Sequence, residues 1–405
     1  MSILKKGFSV FIVIAMVLSL FSLTACHSQN EVAVTIGDVE IPTSLYLCFL
    51  IQADSEARTK IVQAHEDDAE FNPDTVDFSK EKIDDIDFDT WAKNRAKETV
   101  TEYGTYQKIF KENEIKLDES ALQEIDTYTD YYWNSYGYSI IYGANGVNFE
   151  TYKTFFTYSY MTRNYFLGIY GKDGTTPVPE ADIKTAIDEN FTNAYVISLS
   201  HKTTDAEGNS VTKSPEELVE IKNQAVAIET RLKNGEKFDD IYKELNPDAT
   251  TEEEHSEDDG HDHSADTTST TSEFTDNDDE SFGDASAVDD SAYTGVFASE
   301  KAQPYTSSQN VSFDHFEDVK DMKVGETKVV DSDYNGYSLV IYKNQNILDN
   351  SKMVESFTEA ALYILKQEEV RANIKTQSDA LNVKFNNFAI DRFKPSKLVY
   401  PTTQG

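Results

Sequence analysis

Apolar and polar residues alternate from Val32 to Ile41 on either side of Gly37-Asp38, which predicts a short β-hairpin, and a helix is expected from Thr43 onward. Between residues 64 and 89 the chain turns acidic and carries Pro73, so an exposed loop should precede a helix starting near Asp89 or Thr90. Helical periodicity then runs over 91–110, resumes near Leu117-Asp118-Glu119-Ser120, and returns over 149–170, with the glycine-punctuated segment 137–146 between. Pro177-Val178-Pro179 breaks the pattern, 181–190 predicts one more short helix, and Ala194-Tyr195-Val196-Ile197-Ser198-Leu199 reads as a strand. Residues 215–233 are amphipathic and stop at Asn234-Gly235. Short helices follow at 238–245 and 313–322, and 328–330 and 338–342 read as closing strands around Asn335-Gly336. A long helix over 351–381 and a terminal strand over 383–390 complete an α+β pattern that is mainly helical.

The amino terminus reads as an address. Lys5 and Lys6 precede an apolar run from Phe8 to Leu23, and Leu23-Thr24-Ala25-Cys26 resembles a bacterial lipobox, in which cleavage leaves the cysteine carrying the lipid. Residues 1–25 are therefore expected to be a signal peptide, and Cys26 the lipidated anchor on the extracytoplasmic face of the cell membrane. Two acyl chains hold stably where one is marginal. The other cysteine, Cys48, lies in the apolar stretch 45–50 and is expected to be a buried small hydrophobe. A disulfide scaffold is thereby excluded.

The formal net charge is −37, which repels phosphate backbones and excludes nucleic acid as the natural partner. Part of that charge is local. Residues 251–290 hold sixteen Asp and Glu and no Lys or Arg, so the stretch 247–293 cannot bury enough apolar surface to fold by itself. His255, His261 and His263 within it are weak candidates for a divalent cation, although no rigid frame fixes a tetrahedral geometry; otherwise no cofactor is expected. Aromatic residues make up 12% of the chain, enough for a substantial core. Many fall between 128 and 166, including Tyr131, Tyr132, Trp133 and Tyr136, more than one helix face can bury. Core packing accounts for most of them, and the surplus is a candidate cradle for extended polypeptide segments.

The second half resembles a parvulin domain, and the whole chain is similar to the PrsA and SurA group of extracytoplasmic foldases. The matching pieces are 202–209 after the first strand, Asn234-Gly235-Glu236-Lys237-Phe238-Asp239-Asp240-Ile241, Phe316-Glu317-Asp318-Val319 followed by Met322-Lys323-Val324-Gly325-Glu326, and 334–341. The resemblance implies a helical chaperone region at 26–190, a parvulin-like β-α-α-α-β-β domain at 191–346 interrupted by the acidic insert, and a helix at 347–405 that completes the chaperone module. It also implies unfolded or newly secreted polypeptides as partners, membrane attachment through the lipid, and leaves homodimerisation open.

Departures from the family pattern bear on catalysis. The two histidines that face each other across a parvulin site become Ser198 and Ser338, and the third polar position falls at Tyr293, ahead of a turn at Gly295-Val296-Phe297. Phe316 matches the family's prolyl-pocket phenylalanine. His201 would need a three-residue slip to join them and is expected on a loop surface. Paired imidazoles shape the field of such a site through their tautomers, which serines do not reproduce, so isomerase activity should be weak or lost. The function expected is a lipid-anchored folding factor that holds secreted chains; the alternative is a metal-capturing or solute-binding lipoprotein using the acidic loop.

Overall fold

The alternation at the start of the chain folds as β1 (Val32–Ile36) and β2 (Val39–Pro42), paired antiparallel, and the chain passes straight into helix α1 (Thr43–Ala64). In this computed structural model the described residues are 31–401 without 66–67, 69–70, 74, 206–207, 247–293, 307–310 and 333–335. The expected loop before residue 89 holds more order than its composition suggests. Phe78–Lys80 form a 3-10 turn, and β3 (Lys82–Ile83) and β4 (Ile86–Asp87) form a small hairpin that feeds α2 (Phe88–Glu112). Asp87 caps that helix by accepting from Thr90 N at 3.0 Å, and Asp118 caps α3 (Glu119–Asn134) through Ala121 N at 2.8 Å. The glycine-punctuated segment is also helical, as α4 (Tyr138–Ala144), because Gly137 takes φ +72° and turns the chain from one helix into the next. Helix α5 spans Phe149–Tyr170.

Beyond the prolines come α6 (Glu180–Asn190), β5 (Phe191–Ser200), a hairpin of β6 (Lys202–Thr204) and β7 (Ser210–Thr212), then α7 (Pro215–Lys233) and α8 (Phe238–Leu245). Ser214 and Glu217 cap α7 reciprocally. Strands β8 (Thr294–Ala298), β9 (Val311–Ser312), β10 (Thr327–Ser332) and β11 (Tyr337–Tyr342) follow. Gly295-Val296-Phe297, expected as a turn, lies within β8 and pairs with β5. The helix expected over 313–322 is a single turn, Phe316–Val319. Helix α9 (Ser351–Asp379) precedes β12 (Val383–Phe385), and the expected terminal strand ends there in the helical turn Asn387–Ile390.

These elements divide into two compact units. The first comprises the described residues up to Ile169, 173–175 and those from Glu368 onward; the second comprises 170–172 and Thr176–Gln367. In the first unit β12, β1 and β2 form one antiparallel sheet against α1 and α2. Its core is built on fully buried Tyr46, Phe49 and Phe88, with the Phe49 ring 5.4 Å from Tyr103 and 5.1 Å from Phe155. Each such side chain removed from water stabilises the unit by about 1.5–3 kcal/mol. Cys48 sits among them, fully buried, and burial pushes its thiol pKa well up.

In the second unit the strands run in the order β10-β11-β5-β8-β9. One face carries Tyr195, Ile197, Leu199 and Val340 against α7 and α8, while the other carries Ala194, Val196, Leu339 and Ile341 against the turn at Phe316. At one end Phe191 stacks on Phe357 of α9 at 4.6 Å.

Helix α2 approaches β1 closely because Gly104 has no side chain: a Cβ there would stand 2.3 Å from Ile36 Cδ1. Ile36 is fully buried, so any shift of its Cδ1 must be made within a packed core. Gly104→Ala should therefore cost about 1–3 kcal/mol through overpacking, and Ile36→Val, which deletes the clashing methyl, should recover part of that loss. Urea unfolding of the two single variants and the double variant measures the coupling.

Candidate functional site

Two surfaces hold the side chains singled out by sequence. The first lies on α3 and α4 of the first unit. Tyr131 and Tyr136 are 39% and 55% exposed, with ring centroids 5.5 Å apart, and Tyr132 lies half-buried 5.7 and 5.3 Å from them. Tyr132 in turn touches Phe156 at 5.7 Å, so the outer rings rest on a layer continuous with the core. Trp133 turns the other way, onto Tyr152 at 5.4 Å and Phe149 at 5.8 Å, and belongs to the edge of that core. Leu122 and Ile140, elsewhere on the same helices, are also exposed. Helix α3 carries Glu119, Glu124, Asp126 and Asp130 and no Lys or Arg, so the aromatic surface is set in negative charge. Such a surface offers pre-ordered rings with polar tips to an apolar segment, and favours one that also carries positive charge.

The second surface is the sheet of the second unit. Ser198 and Ser338 stand on neighbouring strands and do not form a pair. Ser338 is in register with Leu199, and Ser198 with Leu339. Side chains alternate along a strand, so the two serines point to opposite faces. Ser198 is exposed on the face that carries Phe316, and Ser338 is fully buried on the α7 face. Phe316 is 5% exposed and packs with Ala194, Phe297, Leu339 and Ile341. It fills core space; its match to a prolyl-pocket position is not accompanied by an opposing pair of polar side chains from 198 and 338.

His201 is the residue that sequence placed wrongly. It is 2% exposed, with Nε2 at 2.9 Å from Ser338 Oγ and 3.4 Å from Asp331 Oδ1. Ser338 Oγ lies 2.7 Å from Asp331 Oδ1, and Lys222 Nζ pairs with the other carboxylate oxygen. Burial pushes the Asp331 carboxyl up, but hydrogen bonds from Lys222 and Ser338 more than reverse that and hold it below the usual carboxylate range. The carboxylate is therefore ionised, Ser338 donates to it, and Ser338 Oγ accepts from His201 Nε2–H. A nucleophilic serine needs the opposite polarity, an imidazole lone pair facing its hydroxyl and an exposed Oγ. This Ser, His and Asp cluster fastens β10, β11, α7 and the start of the β6–β7 hairpin together and offers no nucleophile. A hollow of about 390 Å³ opens beside it, with His201, Lys202, Leu218, Val219, Lys222 and Gly336 in its lining. The missed signal was strand alternation: Tyr195, Ile197 and Leu199 face inward, and position 201 continues their series.

Lys343, just past β11, is buried with its ammonium donating to Thr192 Oγ1 at 2.6 Å and Asn193 O at 2.9 Å. Burial pulls its pKa down to about 8, with Asp188 opposing the shift. The adjacent Asn193 side chain, also fully buried, makes no hydrogen bond.

Cys26, Tyr293 and the histidines 255, 261 and 263 lie outside the described residues. Among the described residues no group of three or more His, Cys, Asp or Glu is placed to hold a metal ion, and no helix is long and apolar enough to cross a membrane. No protein-family model matches the sequence, and no curated protein does. Among solved structures, the 3.10 Å crystal structure of the foldase protein PrsA from Lactococcus lactis is similar at a TM-score of 0.32 and 10% identity, over 89% of this chain and 96% of that one. At that TM-score the likeness carries no argument about function.

The lowered pKa of Lys343 has a sign that can be measured. The unfolded chain, with an ordinary lysine value of 10.5, binds this proton more readily than the folded one, so the contribution of Lys343 to stability rises with pH between the two values. From pH 8 to pH 10 the expected gain is about 2 kcal/mol. Within that window Cys48 and buried tyrosines such as Tyr142 and Tyr152, whose pKa values burial raises above their ordinary 9.0 and 10.0, shift stability in the opposite direction. Denaturant unfolding across pH 7–10 reads this contribution as a difference: the stability of the unmodified chain relative to Lys343→Met should rise by about 2 kcal/mol from pH 8 to pH 10.

Proposed function

We propose that the chain is a lipid-anchored, extracytoplasmic folding factor that holds unfolded secreted polypeptides and has little or no prolyl isomerase activity. The observation that carries the holding role is the exposed ring layer of Tyr131, Tyr132 and Tyr136 seated on the core of the first unit. An ordered aromatic surface of this kind has a use in contact with apolar segments that would otherwise associate with one another. Its acidic surroundings on α3 favour clients with basic residues, an attraction that salt should weaken. The lipid anchor rests on the sequence Leu23-Thr24-Ala25-Cys26 after a charged and then apolar leader.

Strand register supports the reading of weak or absent isomerase activity. Rotation about an X-Pro bond faces about 18–20 kcal/mol, and a site lowers this by favouring the twisted amide over the planar one. Polar groups converging on the face that carries Phe316 would serve that purpose, but Ser198 stands there without Ser338, and the His201–Ser338–Asp331 cluster on the other face is spent on its own hydrogen bonds.

Two measurements test this reading. The full chain at stoichiometric amounts should suppress aggregation of a reduced client. With an aromatic contact worth about 1 kcal/mol, Tyr131→Ser with Tyr136→Ser should raise the amount needed by about fivefold or more; absence of suppression by the unmodified chain would overturn the holding role. In a protease-coupled assay on a proline tetrapeptide the chain should leave the uncatalysed rate unchanged, and acceleration at parvulin levels would overturn the second claim.

A further inference from the structure

The carboxy-terminal segment of the first unit is held in an unusual way. After the 3-10 turn Pro395–Lys397 the chain is extended at Leu398, and among the described residues no strand pairs with Leu398, Val399 or Tyr400. Side chains take the place of a neighbouring strand. Asp89 accepts from Ser396 N at 2.7 Å and from Ser396 Oγ at 3.0 Å. The Asn145 carboxamide accepts from Val399 N through Oδ1 and donates to Val399 O through Nδ2, both at 2.9 Å. One amide thus engages both main-chain groups of a single residue, while the Val399 side chain stays 48% exposed. Contact of this form reads an extended backbone and is indifferent to the side chain it carries.

Side-chain identity is read at the two ends. Pro395 is buried. The Tyr400 hydroxyl donates to Asp54 Oδ2 at 2.5 Å, and its ring lies 4.8 Å from the Arg58 guanidinium, which also covers Phe78 at 4.4 Å. Asp54 is fully buried, and although Arg58 Nε and Tyr400 both bond Oδ2, its Oδ1 has no hydrogen-bond partner among the described residues. A buried carboxylate oxygen without a donor is costly to retain for packing alone. Burial pushes the Asp54 carboxyl up, so Oδ1 can meet a polar group either as an acceptor or, when protonated, as a donor.

We infer that the cradle formed by α1, α2 and the end of α4 is a binding site for extended polypeptide segments that carry a proline and, five residues later, a tyrosine, and that residues 395–400 occupy it as a tethered competitor. The inference deepens the holding role, and rests on it only in taking the displacing segment to come from an unfolded client. The site is occupied while no client is present, and a client segment enters as the tail leaves.

The test uses a fluorescent peptide with the sequence of residues 394–401 and three forms of the protein: the full chain, the full chain with Val399→Pro, and a chain ending at Arg392. Val399→Pro removes the N–H that Asn145 accepts and alters no residue of the cradle, so it loosens the tail even where truncation destabilises the unit. A short tether gives the tail an effective concentration of about millimolar. The Val399→Pro chain, and the truncated chain if circular dichroism finds it folded, should therefore bind the peptide at least about tenfold more tightly than the full chain. Adding Asn145→Ala to Val399→Pro, or replacing the tyrosine of the peptide by alanine, should remove that binding. Equal affinity for all three forms, or no binding by a folded Val399→Pro chain, overturns the inference. Aggregation suppression measured on the same samples separates the two claims: if it persists where the peptide fails to bind, the cradle is refuted and the holding role stands.

Discussion

The first unit is closed by a strand that arrives last. β12 pairs with β1 at Val34–Phe385, Thr35–Lys384 and Ile36–Val383, and Asn386 seals the junction by donating to Val32 O at 3.0 Å across 354 residues of sequence. Ile36 sits at this junction, fully buried and pressed against Gly104 of α2. Closing so long a loop is unfavourable, although the entropy grows only slowly with length. The gain is a discontinuous unit in which the whole second unit lies, in sequence, between the parts of the first. Contacts of this separation also slow folding: the β1–β2 hairpin is local, but the β1–β12 ladder cannot form before Val383–Phe385 are present.

The two units solve the problem of burial differently. The first is packed mainly with aromatic rings, whose T-shaped and tilted contacts extend from Phe49 through Tyr152 to Tyr132 and so to the surface. The second admits more polarity into its interior: His201, Ser338, Thr192, Asn193 and Lys343 are all buried there. Each of these must be satisfied by geometry, and most are, through the Asp331 cluster and the Lys343 contacts. Polar interiors specify register. Ser338 has its partners only while it faces α7, so a one-residue slip of β11 would bury the wrong side chains and strand Asp331 and His201.

That dependence on register explains what could be read from sequence. Helices such as 149–170 and 215–233 follow from periodicity, because an amphipathic face must be buried whichever fold it joins. Strands β5, β10 and β11 follow from alternation. Which residues stand opposite one another does not, and the expectation that Ser198 faces Ser338 fails on a single step of pairing. His201 was missed because the strand label ended before the alternation did. The order in 78–87 was hidden by acidic composition, and α4 by its flanking glycines, although Gly137 serves to start that helix. Asn145 and Val399 are 254 residues apart, and nothing local in either marks them as partners. The aromatic surface was legible as a surplus, but its division into Tyr131 and Tyr136 outward and Trp133 inward comes from the packing of α3 on α5.

Cys48 gives this architecture an unintended property. Its sulfur is sealed in the first unit, donates to Ser44 O at 3.6 Å, and is held as the neutral thiol by burial. Oxidants and alkylating reagents act on thiolate, and thiolate can form here only when the unit opens. The residue is therefore a clock for that opening: the rate at which it becomes modified counts the excursions in which the helices part, and converts the mechanical integrity of the first unit into a chemical rate.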